Sequence, residues 1–211
     1  MLSFKDIETS NTISGIPPYH YDSHLHNFEN RYKHKDTSGL FFKSLYDLTV
    51  KILDFKSTSN YVFLCGSPGC GKTHYMVGLY RALVAKLGYS QGEGTLFTTF
   101  SGLSAEIISL FKEDMPLRVG IQGYVQSKWL FLDDFTASER VLKENSLEFN
   151  MLRDILLDRY EKGYMAILSC NMRSVELMQE VDKLFGAYVT SRVSSNSDIL
   201  QFPALDFREK K

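Results

Sequence analysis

Gly66-Ser67-Pro68-Gly69-Cys70-Gly71-Lys72-Thr73 has the residue types and spacing of a phosphate-binding loop. The run before it, Tyr61-Val62-Phe63-Leu64-Cys65, is short, apolar and rich in strand formers, as a buried strand is. The run after it, His74 to Leu87, places Met76, Leu79, Tyr80, Leu83, Val84 and Leu87 at helical spacing on one face. Gly66, Gly69 and Gly71 let the backbone curl until its N–H groups converge on an anion. The start of the helix adds its dipole. Lys72 would then reach the terminal phosphates and the Thr73 hydroxyl would hold Mg²⁺. The expected phosphate contacts are Gly66, Ser67, Pro68, Gly69, Cys70, Gly71, Lys72, Thr73 and His74.

The 211 residues suit one domain with a sizeable core. Hydrophobic content of 44% and charged content of 23% are those of a soluble globular protein. A formal net charge of −1 excludes a global basic field, so any nucleic-acid contact must be a local patch. No apolar run approaches the roughly 20 residues that span a bilayer, and Met1–Ser10 lacks the apolar block of a secretory signal. Cys65, Cys70 and Cys170 follow no metal or disulfide spacing, which suits a reducing cytoplasm.

Residues 1–38 read as a polar arm laid on the core, broken at Gly15-Ile16-Pro17-Pro18, and residues 39–211 as the core itself. Residues 39–55 have helical periodicity. Strands are expected at 95–100, 128–132, 164–168 and 199–202, with helices at 104–111, 145–162 and 175–185. Strands alternating with helices predict a three-layer α/β fold around a mostly parallel sheet.

Ligands of such sheets sit at the carboxyl ends of the strands. Trp129-Leu130-Phe131-Leu132 ends in Asp133-Asp134, which therefore project beside the phosphate loop. Asp133 is assigned to Mg²⁺, through water, and Asp134 to orienting or deprotonating the attacking water. Ser169-Cys170-Asn171 ends the next strand. Asn171 is read as a sensor of the γ-phosphate, against the alternative of a turn-forming residue. Arg192 is either a cation for the transferring phosphoryl group or a surface arginine paired with a carboxylate.

The ordered set of phosphate loop, strand-Asp-Asp, strand-Ser-x-Asn and Ser191-Arg192-Val193 resembles the helicase-loader and insertion-sequence ATP-binding group (DnaC/IstB-like) of the AAA+ ATPases. Gly15-Ile16-Pro17-Pro18-Tyr19 with Phe28-Glu29, Leu156-Leu157-Asp158-Arg159-Tyr160-Glu161 and Asp206-Phe207-Arg208 extend the resemblance from about residue 15 onward. The resemblance implies a P-loop NTPase core with a five-stranded parallel sheet in the order 5-1-4-3-2. It implies ATP and Mg²⁺ as ligands, hydrolysis to ADP and phosphate, and ring or spiral self-association on single-stranded DNA. It implies a replicative helicase or a transposase as protein partner, Arg192 as a finger acting in trans, and Asn171 as the sensor.

Four departures from the group stand out. Only a short arm precedes the core where loaders carry a helicase-gripping domain. Little or no helical lid is expected, which leaves Arg208 as the late arginine. Asp134 stands where many AAA+ enzymes have glutamate. Cys70 lies inside the loop.

Weaker signals complete the reading. His20, His24 and His26 cluster without a metal-binding spacing. Tyr19 or Tyr21 is placed to stack on a base or to pack on the core. Lys112, Arg118, Lys128 and Arg140 form a DNA-facing patch or a solvated face. Phe97, Phe100 and Phe111 read as core. Four functions compete: a helicase-loading ATPase, an accessory ATPase of a transposition system, a nucleotide-switched protein-binding module, and a small-molecule kinase. The kinase is the poorest fit, because strand-Asp-Asp suits hydrolysis.

Overall fold

The structure, a computed structural model, describes residues 3–5, 7–8, 15–33, 39–88, 94–112, 120–135 and 146–208. Arg118 and Arg140 lie outside the described residues, as does the side chain of Phe111. The described elements are α1 (Leu25–Lys33), α2 (Leu40–Leu53), β1 (Tyr61–Cys65), α3 (Lys72–Leu87), β2 (Thr95–Thr99) and α4 (Phe100–Lys112). They continue with α5 (Gln122–Gln126), β3 (Trp129–Asp133), α6 (Leu147–Lys162), β4 (Met165–Cys170), α7 (Ser174–Ser195) and β5 (Ser197–Gln201).

All pairings are parallel and the strand order is β2-β3-β4-β1-β5, the order that the resemblance implies, read from the other edge. The central strands are apolar up to their carboxyl ends because both faces are covered, but their side chains still alternate. Val62, Leu64, Phe131 and Ile167 pack toward α2 and α3. Tyr61, Phe63, Leu130, Leu132, Ala166 and Leu168 pack into the cluster formed with α4, α6 and α7.

Three elements differ from the sequence reading. Helix α3 is buried nearly all round between His74 and Val84, not on one face. The cause is α1, which the polar composition of residues 25–33 concealed and which packs on α3. Helix α4 begins at Phe100 directly after β2, earlier than its periodicity suggested. Helix α7 runs on to Ser195 across a break at Gly186, whose φ of 76° and ψ of 169° lie outside the helical region. Arg192 is therefore helical, on the second half of a broken helix.

The segment leading into α1 is anchored from below. Arg81, buried on α3, donates through Nη1 to the Ser23 carbonyl (3.2 Å) and through Nη2 to the Tyr21 carbonyl (2.5 Å). Its Nη1 also lies 2.8 Å from His24 Nε2, so that nitrogen must accept, and His24 is held neutral there. Burial and the neighbouring guanidinium both lower the His24 pKa, burial more strongly. His20 Nδ1 meets Ser23 Oγ at 2.9 Å. His20 and His24 are thus engaged separately, and no cluster of three metal-ligating side chains occurs among the described residues.

Arg159 braces the sheet from the other side. Its side chain is fully buried near the end of α6. It donates to the carbonyls of Tyr124 (2.6 Å), Ser127 (2.7 Å), Lys128 (3.2 Å) and Met165. Burial pulls its pKa down to about 10, so the guanidinium is still charged at neutral pH. One cation thus joins α5, α6 and the starts of β3 and β4. No described helix is long and apolar enough to cross a membrane.

Candidate active site

The carboxyl ends of β1, β3 and β4 meet the start of α3 at a cleft of about 330 Å³. Pro68, Gly69, Gly71, Lys72, Thr73 and His74 line its loop side. Asp133, Asp134 and Asn171 close the strand side, and Tyr19, His20, Phe28, Phe207 and Arg208 form the remaining wall. Residues of the polar arm and the segment 207–208 thus line one site.

The loop takes the conformation its glycines permit, with φ of 83° at Gly69 and 95° at Gly71. Lys72 Nζ is folded back, donating to the carbonyls of Gly66 (2.8 Å) and Ser67 (2.9 Å). An ammonium otherwise bare among buried groups takes the nearest carbonyls. A polyphosphate oxygen is a stronger acceptor for the same three protons. Cys70 is buried, with its sulfur 3.7 Å from Lys72 Nζ, and burial pushes its thiol pKa up despite the nearby charge. Cys70 therefore fills space under the loop and presents no reactive thiolate.

Thr73 Oγ1 donates to Asp133 Oδ1 at 3.1 Å, across a sequence gap of 60 residues. Two hard oxygen ligands thus stand together at the start of α3, the donor chemistry that Mg²⁺ takes. Asp133 is only 3% exposed, and burial raises its pKa, aided by the Asp134 charge. Hydrogen bonds from Ser169 and Thr73 work against that rise. No cation-bearing side chain pairs with this carboxylate among the described residues. A buried carboxylate with hydroxyl donors and no cation is poised for a metal ion.

Asp134 leaves the strand with φ of 56°, a left-handed conformation uncommon outside glycine but tolerated by aspartate. Its N–H donates to Ser169 Oγ (2.8 Å), and its Oδ1 accepts from Asn171 Nδ2 (3.0 Å). Asn171 thus lies beside the carboxylate assigned to the water, at the mouth of the same cleft.

Ser169 is the site residue that the sequence reading missed. Its hydroxyl donates to Asp133 Oδ1 (2.5 Å) while accepting from Asp134 N–H, so one side chain holds the Asp133 carboxylate and the Asp134 backbone. Its position in the strand-Ser-x-Asn order is legible, but a serine inside an apolar strand does not declare what its hydroxyl meets. The usable signal was its place, two residues before Asn171 on the strand beside β3. Ser169→Ala is expected to weaken Mg²⁺ affinity about tenfold, as loss of a group that orients a metal ligand does. A Mg²⁺ titration of nucleotide binding by calorimetry reads this directly, and an unchanged midpoint would refute it.

Arg192 does not line the cleft of its own chain. Its guanidinium lies 3.5 Å from the Tyr188 ring centroid, and Nη1 donates to the Tyr188 carbonyl at 3.1 Å. The segment from Phe202 to Arg208 packs against the loop. Phe202 N–H donates to the Cys65 carbonyl (2.7 Å) and Phe207 N–H to the Gly69 carbonyl (3.1 Å). A Cβ at Gly69 would lie 2.2 Å from Asp206 Oδ1, so only glycine lets this carboxylate approach.

No family profile matches this chain, and no curated protein matches it. Solved structures do. The DnaC helicase loader superposes with a TM-score of 0.66 at 18% identity, covering 89% of this chain and all of that one. DnaI superposes with a TM-score of 0.62 at 14% identity over 90% of this chain and 96% of that one. AMPPCP-bound DnaA from Aquifex aeolicus gives 0.59 at 19% identity, over 79% of this chain and 48% of that one. At these identities the likeness is one of fold. The chain has the α/β fold of the AAA+ P-loop proteins, as its resemblance to the DnaC-like group implied.

Proposed function

We propose that the chain binds Mg-ATP at the carboxyl rim of its sheet and hydrolyses it to ADP and phosphate. In this reading ATP is spent on remodelling or loading a ring-shaped replicative helicase on single-stranded DNA, in the cytoplasm. One observation carries the enzymatic part. Thr73 and Asp133 meet beside a buried lysine in a glycine-rich loop, with Asp134 and Asn171 joined 3.0 Å apart at the same mouth. The loader part rests on the fold shared with DnaC and DnaI over most of both chains.

Each side chain has a defined task. Loop amides and Lys72 hold the β- and γ-phosphates. Thr73 and Asp133 would hold Mg²⁺, which supplies neutralisation of the charge that develops on the phosphates. Asp134 orients water in line with the γ-phosphorus and takes its proton, while Asn171 fixes the angle of that carboxylate. Tyr19 and His20 offer aromatic surface to the base, while Phe28 is buried in the wall. Arg192, on the outer half of α7, would reach the γ-phosphate of a neighbouring copy in a ring or spiral.

Calorimetric titration with Mg-ATP, followed by phosphate release with and without single-stranded DNA, tests the proposal. Binding with slow basal turnover that rises on addition of DNA or helicase is the expected result. Absence of Mg-ATP binding by the folded protein would end it.

A further inference from the structure

A second cleft, of about 350 Å³, opens at the opposite rim, where β1, β3 and β4 begin. Phe55 and Trp129 form its aromatic side, with ring centroids 5.8 Å apart and planes inclined at 52°. Phe55 is 50% exposed and has φ of 56°. A bulky residue held left-handed and half in water serves neither backbone comfort nor core packing. Lys128 and Lys162 line the same cleft, and both are exposed with no ion pair among the described residues. Lys86 places Nζ 5.8 Å from the Phe55 centroid, and both Lys86 and Lys56 are within 3.1 Å of Asp54. The hydroxyl of Ser57, also in the lining, is buried without a partner.

Helix dipoles explain lysines in a last turn, and Lys86 and Lys162 are so placed. They do not explain Lys128 or Lys56, which lie outside helices. Aromatic faces, unpaired lysines and an unused hydroxyl in one concavity match the chemistry of a stacked base with its phosphate and sugar. We propose that this cleft binds single-stranded nucleic acid, with a base on Phe55 and Trp129 and the flanking phosphates on Lys128 and Lys162. The inference rests on the nucleic-acid side of the reading above and gives it a location across the sheet from the ATP site.

Trp129 is the chain's only tryptophan, so its fluorescence reports the contact itself. A thymidylate oligomer of about 12 nucleotides, titrated into the full chain, should quench it. Affinity should fall with salt, with a slope of about −1.4 in log–log form for two neutralised phosphates. Phe55→Asn keeps a residue that tolerates the left-handed backbone, and it should weaken binding about tenfold. Lys128→Gln with Lys162→Gln should flatten the salt slope. Mg-ATP affinity should be unchanged in all of these variants. A uridylate oligomer of equal length distinguishes RNA from DNA as the natural strand. The inference is overturned by no quenching, by oligomer binding that all three substitutions leave intact, or by quenching that only a protein partner produces. Loss of Mg-ATP binding in the unaltered chain would instead refute the ATPase reading and leave this one standing on its own data.

Discussion

Replacing Asp134 by asparagine is expected to lower the turnover number for ATP hydrolysis about 10³-fold, within the usual range for removing a general base. Asparagine keeps the size of the side chain, tolerates the left-handed backbone at φ 56° and can still accept from Asn171. The capacity to take a proton is lost, together with the negative charge beside Asp133. Lys72, Thr73 and Asp133 are untouched, so the dissociation constant for Mg-ATP should change by less than about threefold. Single-turnover phosphate release alongside equilibrium binding separates the two effects. A rate within a factor of about ten of the unaltered enzyme would mean that another group positions the water.

The second large effect concerns stability. Arg159→Met is expected to cost about 3 kcal/mol, because the carbonyls of Tyr124, Ser127, Lys128 and Met165 lose their shared donor in a dry interior. Each orphaned carbonyl costs about 1–3 kcal/mol, and relief of a buried charge offsets part of the sum. For a chain of this length the melting temperature should fall by about 6–12 °C. Arg159→Lys should recover only part of the loss. An ammonium is a single point of charge and lacks the planar fork that reaches carbonyls of separate elements. Melting by circular dichroism measures both variants. A shift under about 2 °C for Arg159→Met would show that the carbonyls find other partners.

The parts of the molecule legible in the sequence were those written locally. Strands β1, β3 and β4 declared themselves because both their faces are buried, which makes their residues continuously apolar. Asp133 and Asp134 were legible because the rim of a parallel sheet is a known place for ligands, and the chain turns polar there. The strand order came from the resemblance, since no local signal says which strands are neighbours. The contacts missed join distant residues of unremarkable type. Ser169 meets Asp133 from 36 residues away. Arg159 is legible as part of the Leu156–Glu161 resemblance on an amphipathic helix, but its carbonyl partners are invisible in any pattern of side chains. Helix α1 is mostly polar, and its burial comes from a few positions such as Leu25 and Phe28. Asp206 gave no hint of Gly69, although the glycine is needed for that approach as much as for the phosphates.

The break at Gly186 sets the outer half of α7, held in the core by Val189 and Val193, apart from the inner half. That half carries Arg192, leads through Asn196 into β5, and β5 delivers Phe202 and Asp206 to the underside and crest of the phosphate loop. A hold on Arg192 by a second molecule would therefore bear on the segment that continues into β5, which pairs with β1 along its whole length, and β1 ends in the phosphate loop.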